Sequence, residues 1–508
     1  MKKVAYKPIL SIIFLLLFSI SINHMLGYKF KIDRTLIMFF FSYLLIDNTY
    51  GRISLFGLSL ISALYYPISW FYGHPNLTIM SAILETNIQE STEFLYDIPV
   101  IATLLSITYL LIIYILFFKL RIEISVNNKK TMSILFALSC LWQPLKSYAS
   151  DKDDNYIYTL RFTPVEFISD FYKSYHSYSD ENKKIRKQVN QPPNWDVLSS
   201  TQKYKNYILV IGESVRKDYL NSYGFELDNT PFMSNSPGIV WDGLIAPGPN
   251  TYTSVVRLLS VNNGIDVELN NNIISLANES GLNTYWLSNQ GKVGPTDTVI
   301  SSIAYYSKNI FFSKKGSYKD VDIPDSALLP HLSSILDKKT KSPKFIVIHL
   351  MGSHQNFCQR VDNDIKFDHV NRKISCYITS LYKTDDLLKN IRKIANKTGE
   401  EFSIVYVADH GLGHPNNKKK NLKHNPRVKQ AYEVPLFITS SDDNKHTYIE
   451  RKRSGLHFIH FLSEWIGVTA VQLEHGYNFY SQQSDMNIKV NTGDGKLVNF
   501  STLQDDPV

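Results

Sequence analysis

Long apolar runs dominate the first 150 residues of the chain, whereas the remaining residues show the mixed apolar and polar pattern of a soluble domain. Runs of this length are typical of helices that cross a lipid bilayer. The pattern predicts five such helices, of which the second is short and the fifth contains Pro144. They are Ile9–Gly27, Thr35–Leu45, Ile53–Phe71, Ile98–Leu120 and Thr131–Tyr148. The first is also compatible with a signal peptide, but the four further runs favour an uncleaved anchor.

The basic residues predict the orientation of these helices, because cytoplasmic loops of membrane proteins are enriched in Lys and Arg. Three lysines precede the first helix, and four basic residues lie near residues 119–130, between the fourth and fifth helices. Both segments are therefore expected in the cytoplasm, and everything after Tyr148 outside it. Lys29, Lys31 and Arg34 depart from this rule, since they fall in the first external loop.

Short apolar or β-branched runs alternate with helical patterns in the rest of the chain. The predicted strands are Tyr207–Gly212, Thr284–Leu287, Phe345–Leu350 and Phe402–Ala408, and the clearest predicted helices are Ser326–Lys338 and Tyr377–Ala395. This alternation favours a mostly parallel sheet flanked by helices. We therefore expect a transmembrane anchor at 1–150, a polar linker over the membrane surface at 151–200, and a soluble α/β domain at 201–508.

Polar residues follow three of these strands, at the sheet edge where α/β proteins bind ligands. Glu213 follows the first strand, His349 and His354 lie with the third, and Asp409 and His410 follow the fourth. Two carboxylates and an imidazole suit zinc, although an Asp-His pair can also serve hydrogen bonding within a loop. His354 and His424 could contact an anionic substrate, but either alone could be an ordinary surface histidine.

A nucleophile is also required, and the segment PNTYTSVVRLLS offers the hydroxyls of Thr251, Thr253 and Ser254 just before a helix-like run. A hydroxyl at a helix start is close to free backbone N–H groups and the positive end of the helix dipole. The alternative is that the hydroxyls of this segment only cap the helix.

Two further features of the sequence are a pair of cysteines and a run of basic residues. Cys358 and Cys376 would pair as a disulfide in an oxidising compartment, with separate thiols as the alternative. The basic run from Lys418 to Lys429 could attract a phosphorylated glycolipid, or it could be a solvated loop.

Motifs spread over the chain resemble those of one known family. In chain order they are GESVR, NTPF, TYTSV, WLSNQ, HLMGSH, ADHG, HN and YEVP. Together with the apolar helices they are similar to the phosphoethanolamine transferases of Gram-negative inner membranes, which belong to the alkaline phosphatase/sulfatase superfamily. The resemblance covers nearly the whole chain. It implies a five-helix transmembrane bundle in the cell inner membrane and a C-terminal α/β sulfatase/alkaline-phosphatase-like catalytic domain in the periplasm.

The resemblance also implies a role for each candidate residue. Thr251 would be the catalytic nucleophile. His354 and His424 would bind the substrate phosphate. Glu90, in LETNIQES, would meet the ethanolamine ammonium, for which a carboxylate near the bilayer is a suitable partner. The implied zinc ligands are Glu213, Thr251, Asp409 and His410.

Members of this family transfer phosphoethanolamine from phosphatidylethanolamine to a sugar or to lipid A, through a zinc-bound threonine. The resemblance thus implies Zn²⁺ as cofactor, and as partners this donor lipid, a lipopolysaccharide or other glycan acceptor and the membrane lipids, with no nucleic acid. Lipid A-modifying members usually have two cysteines around the nucleophile, but Pro247–Leu258 contains none. The chain is therefore closer to members that modify core heptose or other glycans.

Three other functions remain open. A phosphoglycerol transferase would share the anchor, the threonine and the fold, but would use phosphatidylglycerol. A sulfatase would need C/S-x-P-x-R, and TYTSVVR lacks that proline. An inactive membrane scaffold or glycan-binding protein would not need a nucleophile together with three metal-binding side chains, so their joint presence favours an enzyme.

Overall fold

The structure is a computed structural model, and it divides into two compact units, Met1–Asp180 and Glu181–Val508. The residues that it describes are 6–76, 79–80, 83–84, 99–120, 129–149, 161–189, 191–291, 299–314, 323–361, 364–415, 419–473 and 476–508.

The first unit is helical, and a helix occupies each of the five predicted apolar segments. The helices are α1 (Tyr6–Met25), α2 (Ile32–Leu45), α3 (Thr49–Tyr72), α4 (Val100–Tyr114, continued by a π-helical turn at Ile115–Lys119) and α5 (Lys129–Ala149). Within the described ranges, Thr49–Trp70 and Val100–Lys119 are long and apolar enough to cross a membrane, and Leu10–Met25 is a shorter apolar helix. The 14 residues of α2 span only about 21 Å, less than the hydrocarbon core of a bilayer.

The segment 151–200, which was expected to be a linker, contains a long helix, α6 (Thr163–Val189). Pro164 stands in its first turn, where a missing backbone N–H costs nothing. Phe167 and Phe171 are four residues apart and so share one face of the helix. Their rings pack against Tyr65 of α3, with ring centroids 4.8 and 6.0 Å apart. This apolar pair anchors α6 to the helices of the first unit.

An ion pair with a residue near the start of α6 explains Arg34, one of the basic residues that depart from the predicted charge pattern. Glu166 accepts two hydrogen bonds from Nη2 of Arg34, at 2.7 and 2.9 Å, and one from its Nε at 3.1 Å. Arg161 in turn pairs with Asp33 at 2.6 Å. Arg34 is buried and therefore needs this partner, because an unpaired charge is costly to bury.

The second unit is built on an eight-stranded sheet of order β11-β3-β10-β9-β2-β8-β6-β7. Strands β9, β2, β8, β6 and β7 are mutually parallel, as predicted, whereas β10 is antiparallel to both its neighbours. The strands are β1 (Val197–Ser200), β2 (Asn206–Gly212), β3 (Gly238–Ile245), β4 (Ser260–Asn262), β5 (Val267–Asn272), β6 (Asn283–Gly291), β7 (Asn309–Lys314), β8 (Lys344–His349), β9 (Phe402–Ala408), β10 (Leu436–Ser440), β11 (His446–Ser454), β12 (Val468–Ala470), β13 (Lys489–Asn491) and β14 (Leu497–Asn499).

Helices cover this sheet, and the two helices predicted most clearly are present as α11 and α12. The helices are α7 (Pro231–Asn235), α8 (Thr251–Leu259), α9 (Ile273–Glu279), α10 (Val299–Ala304), α11 (Leu329–Asp337), α12 (Arg372–Lys397) and α13 (Phe458–Trp465). Every residue of β2, β8 and β9 is buried, as expected for strands in the middle of a sheet covered on both faces.

The structure contains one disulfide among the described cysteines, between Cys358 and Cys376. Cys376 lies in the second turn of α12, and Cys358 lies in the loop that follows β8. The bond therefore ties this loop to the helix beside it. Cys140 is free and partly buried in α5.

Candidate metal centre and active site

Two neighbouring strands deliver the three predicted metal ligands to one place. Gly212, the last residue of β2, pairs in register with Ala408, the last residue of β9. Glu213 and the pair Asp409-His410 therefore leave the sheet side by side. Ligand atoms of these three residues all lie within 4.8 Å of one another, and all three side chains are buried. We call Glu213, Asp409, His410 and the adjacent Thr251 the metal cluster.

Backbone hydrogen bonds hold the loop after β2 in a strained conformation. Ser214 has a φ of 59°, which is uncommon for a residue with a side chain and costs about 1–3 kcal/mol. Its N–H donates to Oδ1 of Asp409 at 3.0 Å, and the N–H of Val215 donates to the carbonyl of His410 at 2.9 Å. The Ser214 hydroxyl donates to Oε1 of Glu213 at 2.6 Å. The strain thus serves to aim the Glu213 carboxylate.

Thr251 opens α8, and its hydroxyl does not cap that helix. The side chain of Asn250 is the cap, since it accepts the backbone N–H of Thr253 at 2.8 Å. The Thr251 hydroxyl instead donates to Oε2 of Glu213 at 2.9 Å and lies 3.4 Å from Nε2 of His410. The structure therefore places this hydroxyl at the metal cluster, and the capping alternative does not describe Thr251.

The electrostatics of the metal cluster reflect two carboxyl groups that are buried beside a single imidazole. Burial and the charge of Glu213 raise the pKa of Asp409 to about 8. Burial also raises the pKa of Glu213, but the hydrogen bond and charge of His410 outweigh it, so that the pKa is held below its usual range. Burial lowers the pKa of His410, yet the neighbouring carboxylates of Asp409 and Glu213 prevail and raise it to about 9.

These side chains fit a divalent metal. Oδ2 of Asp409 is buried and has no hydrogen-bond partner among the residues that the structure describes. His410 Nδ1 lies 2.8 Å from the carbonyl of Gly411, to which it donates, so that Nε2 faces the carboxylates, 3.4 Å from Glu213 and from Asp409. A histidine whose second nitrogen is fixed in this way is typical of metal ligands. Carboxylate and imidazole together suit zinc.

His354 and His424 are both partly buried close to the metal cluster. The ring of His424 lies 4.8 Å from that of His410, and its Nδ1 is 3.2 Å from the carbonyl of Pro249. Burial lowers the pKa of His424 to about 3 and that of His354 to about 4, although the charge of Glu213 acts in the opposite direction on both. Two neutral imidazoles thus stand beside the cluster.

Sequence reasoning missed the support of the His354 loop. The carboxylate of Asp325 accepts the backbone N–H groups of Met351 and Gly352, both at 2.8 Å. Gly352 has a φ of +47°, and a Cβ there would lie 3.0 Å from the backbone nitrogen of Glu213. A glycine is therefore required where this loop passes the loop of Glu213. Nothing in the sequence around Asp325 indicated this role.

Two of the predicted functional residues, Glu90 and Lys418, lie outside the described residues. Lys419 and Lys420, from the same basic run, are exposed, whereas Lys423 is buried. The run is therefore not uniformly a solvated surface.

Comparisons with known proteins agree with this fold. The sulfatase family ("Sulfatase") matches residues 205–468. The phosphoethanolamine transferase OpgE of Escherichia coli (strain K12) is 32% identical over 510 residues, which cover 97% of this chain and 95% of that protein. A putative phosphoethanolamine transferase of Haemophilus influenzae is 33% identical over 385 residues, covering 72% of this chain and 74% of that protein.

Solved structures show the same fold at low sequence identity. The integral membrane lipooligosaccharide phosphoethanolamine transferase A (EptA) of Neisseria meningitidis has a TM-score of 0.56 at 16% identity, over 90% of this chain and 95% of that one. The C-terminal periplasmic domain of EcEptC from Escherichia coli, in complex with Zn, has a TM-score of 0.53 at 19% identity, over 62% of this chain and 97% of that one. The chain therefore belongs to the sulfatase family and, within it, to the phosphoethanolamine transferases.

Proposed function

We propose that this enzyme transfers phosphoethanolamine from phosphatidylethanolamine to a sugar of lipopolysaccharide or of another envelope glycan, with Thr251 as the nucleophile. The observation that carries the proposal is the hydrogen bond from the Thr251 hydroxyl to Glu213 inside the metal cluster. The names of the relatives support the transferred group. We further propose that the helices of the first unit anchor the enzyme in the inner membrane in five spans, with the second unit in the periplasm.

Glu213, Asp409 and His410 would hold Zn²⁺, with Thr251 beside them. Bound there, the metal would supply positive charge that stabilises the phosphoryl oxygens and makes a hydroxyl nucleophilic at neutral pH. The excess of buried carboxylate and the unpartnered oxygen of Asp409 are the features that support a cation at this position.

In the first half-reaction, Oγ1 of Thr251 attacks the phosphorus of the donor lipid. The hydroxyl proton is given up toward Oε2 of Glu213, to which it already points. A bond forms between Thr251 and phosphorus while the bond from phosphorus to the diacylglycerol oxygen breaks. That oxygen leaves with the bonding electrons and takes up one proton, so that protons balance.

In the second half-reaction, an acceptor hydroxyl attacks the phosphothreonine. The acceptor loses its proton, the bond from phosphorus to Oγ1 breaks, and Thr251 regains its hydroxyl. The neutral imidazole of His354 would donate a hydrogen bond to a phosphoryl oxygen in both steps and keep the group in line. The Nδ1–H of His424 is taken by the carbonyl of Pro249, so His424 would donate from Nε2 only after it takes up a proton beside the phosphoryl group. Glu90 would receive the ethanolamine ammonium of the donor.

The full-length enzyme, incorporated in lipid vesicles with headgroup-labelled phosphatidylethanolamine, provides the direct test. We expect labelled phosphothreonine at residue 251 before an acceptor is added, located by peptide mass spectrometry. Thr251→Ala should form none, whereas Thr253→Ala, the same change two residues later in α8, should still label. Label transferred instead from headgroup-labelled phosphatidylglycerol would identify that anionic lipid as the donor and contradict the proposal.

The acceptor is tested by mass spectrometry of lipopolysaccharide and periplasmic glycans from cells with and without the enzyme. The proposal expects one additional phosphoethanolamine on a sugar. Addition to lipid A alone would contradict a glycan acceptor, and unchanged masses of all these molecules would contradict the transfer itself.

A further inference from the structure

The structure contains a second cluster of polar and charged side chains, most of which follow the candidate metal ligands closely in the chain. Its centre is Arg216, which is fully buried and donates to both carboxylate oxygens of Asp218, at 2.9 and 2.6 Å. The same guanidinium donates to Oδ2 of Asp506 at 3.1 Å and to its carbonyl at 2.6 Å. We call the set the arginine cluster; its members are Arg216, Asp218, Tyr219, His414 and Asp506.

Asp506 binds the loop that follows β9 as well. Its Oδ2 accepts the backbone N–H of His414 at 2.7 Å, and its Oδ1 lies 3.0 Å from Nδ1 of the same residue. A carboxylate can only accept here, so Nδ1 carries the proton, and the Tyr219 hydroxyl donates to Nε2 at 3.0 Å. One buried carboxylate thus fixes both the backbone and the ring of His414.

The arginine cluster joins the two loops that carry the metal ligands. Arg216 comes three residues after Glu213, and His414 comes four residues after His410. Between Arg216 and Glu213, the Tyr377 hydroxyl accepts the N–H of Arg216 at 2.9 Å and donates to the carbonyl of Ser214 at 3.0 Å. Asp506 is therefore bonded to the far end of each ligand loop.

We propose that Asp506 is a positioning residue for the metal centre: by holding Arg216 and His414 together it fixes the spacing between Glu213 and the Asp409-His410 pair. The inference rests on the proposed function, since it assumes a metal at that cluster. It goes beyond the family comparison, because Asp506 lies outside residues 205–468, where the sulfatase family matches. The strained backbone of Ser214 explains why a separate clamp is needed, since a strained loop relaxes when its restraints are removed.

The test compares Asp506→Asn with Asp485→Asn in the full-length protein. Asp485 is the matched control, because it pairs with the equally buried Arg453 at 3.3 Å and accepts the N–H of Ser454 at 2.8 Å, away from both ligand loops. The first readout is the dissociation constant of Zn²⁺, measured by competition with a chelator at a temperature where all variants are folded. The second is amide hydrogen exchange of residues 212–216 and 409–414 in metal-free protein.

We expect Asp506→Asn to raise the Zn²⁺ dissociation constant about 10-fold, as is usual when a group that orients metal ligands is changed. Exchange should become faster in both ligand loops. Asp485→Asn should change neither readout, even though it lowers the unfolding temperature. Tyr219→Phe provides a milder variant that removes only the hydroxyl at His414, and it should shift both readouts in the same direction by a smaller factor.

Unchanged Zn²⁺ affinity and unchanged loop exchange in Asp506→Asn would show that Asp506 only stabilises the fold, and the inference would be wrong. If Asp506→Asn does not fold, unchanged values in Tyr219→Phe would overturn the inference in the same way. A wild-type protein that binds no Zn²⁺ would instead contradict the proposed function. The exchange data would still show whether Asp506 holds the two loops.

Discussion

The two buried clusters differ in how their charges are balanced. In the arginine cluster, each nitrogen of the Arg216 guanidinium donates to Asp218 or Asp506, and His414 has a partner at both ring nitrogens. In the metal cluster, two carboxylates surround a single imidazole, and Oδ2 of Asp409 has no hydrogen-bond partner within the described part of the chain. Burying a charge without a partner is unfavourable. The balanced cluster therefore fits a structural support, and the unbalanced one fits the proposed binding site for a cation.

An Asp→Asn substitution in the metal cluster should weaken metal binding more than the same substitution in the arginine cluster. Asp409→Asn removes a proposed ligand and should raise the Zn²⁺ dissociation constant by about 100-fold or more, beyond the effect of Asp506→Asn. Chelator competition measures both variants. Asp385→Asn is the control, because Asp385 is equally buried but bonds only to the backbone at the start of α7. If Asp409→Asn kept wild-type affinity, the metal cluster would not be the binding site.

In the metal-free protein, substitutions in the two clusters should differ in their effect on the free energy of unfolding. Asp506→Asn should lower the free energy of unfolding by about 1–3 kcal/mol, because Arg216 and His414 lose charge-assisted hydrogen bonds. Asp409→Asn should not lower it, since the amide oxygen can still accept the N–H groups of Ser214 and His410, and the change removes one of two carboxylates that share the single imidazole of His410. Denaturant unfolding in the presence of a chelator gives both values. A destabilisation of equal size in the two variants would mean that the metal cluster is balanced after all.

The pH dependence of that stability follows from the raised pKa of Asp409. This pKa is about 8 in the folded metal-free protein, against about 3.9 in an unfolded chain. Between these values the folded state binds more protons than the unfolded state, so that stability falls as pH rises toward 8. The raised pKa of His410, about 9, acts in the same direction, and its stabilising contribution is lost as pH rises through 9. The slope should be steeper in wild type than in Asp409→Asn, and equal slopes would contradict the assignment.

The affinity for Zn²⁺ should change with pH in the opposite direction to the stability of the metal-free protein. His410 faces Glu213, Asp409 and the ring of His424, and it must lose its Nε2 proton to bind a metal. Zn²⁺ affinity should therefore increase with pH between 6 and 9, with protons released on binding. Calorimetry in buffers of different ionisation enthalpy measures that release. A pH-independent affinity would show that His410 is not a ligand.

The smallest effect is expected at Ser214. Ser214→Ala removes only the hydrogen bond to Oε1 of Glu213 and should weaken Zn²⁺ binding about fivefold, which corresponds to about 1 kcal/mol. Ser254→Ala is its control, because the Ser254 hydroxyl donates to the backbone carbonyl of Asp409 and not to a ligand side chain. If the control weakened binding as much as Ser214→Ala, the Glu213 hydrogen bond would have no special role.

Much of the fold could be predicted because its signal is local. The buried strands β2, β8 and β9 are continuous apolar runs, and α1 to α5 occupy apolar segments. Helix α6 was missed because its apolar residues, such as Phe167 and Phe171, are few among many polar ones. The packing of these two rings on Tyr65 shows which face is buried.

The meeting of the three candidate ligands could be predicted for a similar reason, since Glu213, Asp409 and His410 directly follow predicted strands. The residues that hold the ligand loops in place could not be predicted, because each lies far along the chain from the residue that it bonds to. Asp506 meets Arg216 across 290 residues, and no local pattern marks either as a pair. Asp325 likewise accepts a hydrogen bond from the loop of His354, and no sequence pattern marked Asp325 for this role.

The ion pair between Arg34 and Glu166 also has a consequence for the order of synthesis. The two residues are 132 positions apart, so Arg34 is already made long before its partner leaves the ribosome. A chain that stopped at residue 150 would contain all five apolar helices, yet its buried arginine would lack a carboxylate. The first unit can therefore complete its packing only after the start of α6 has been translated.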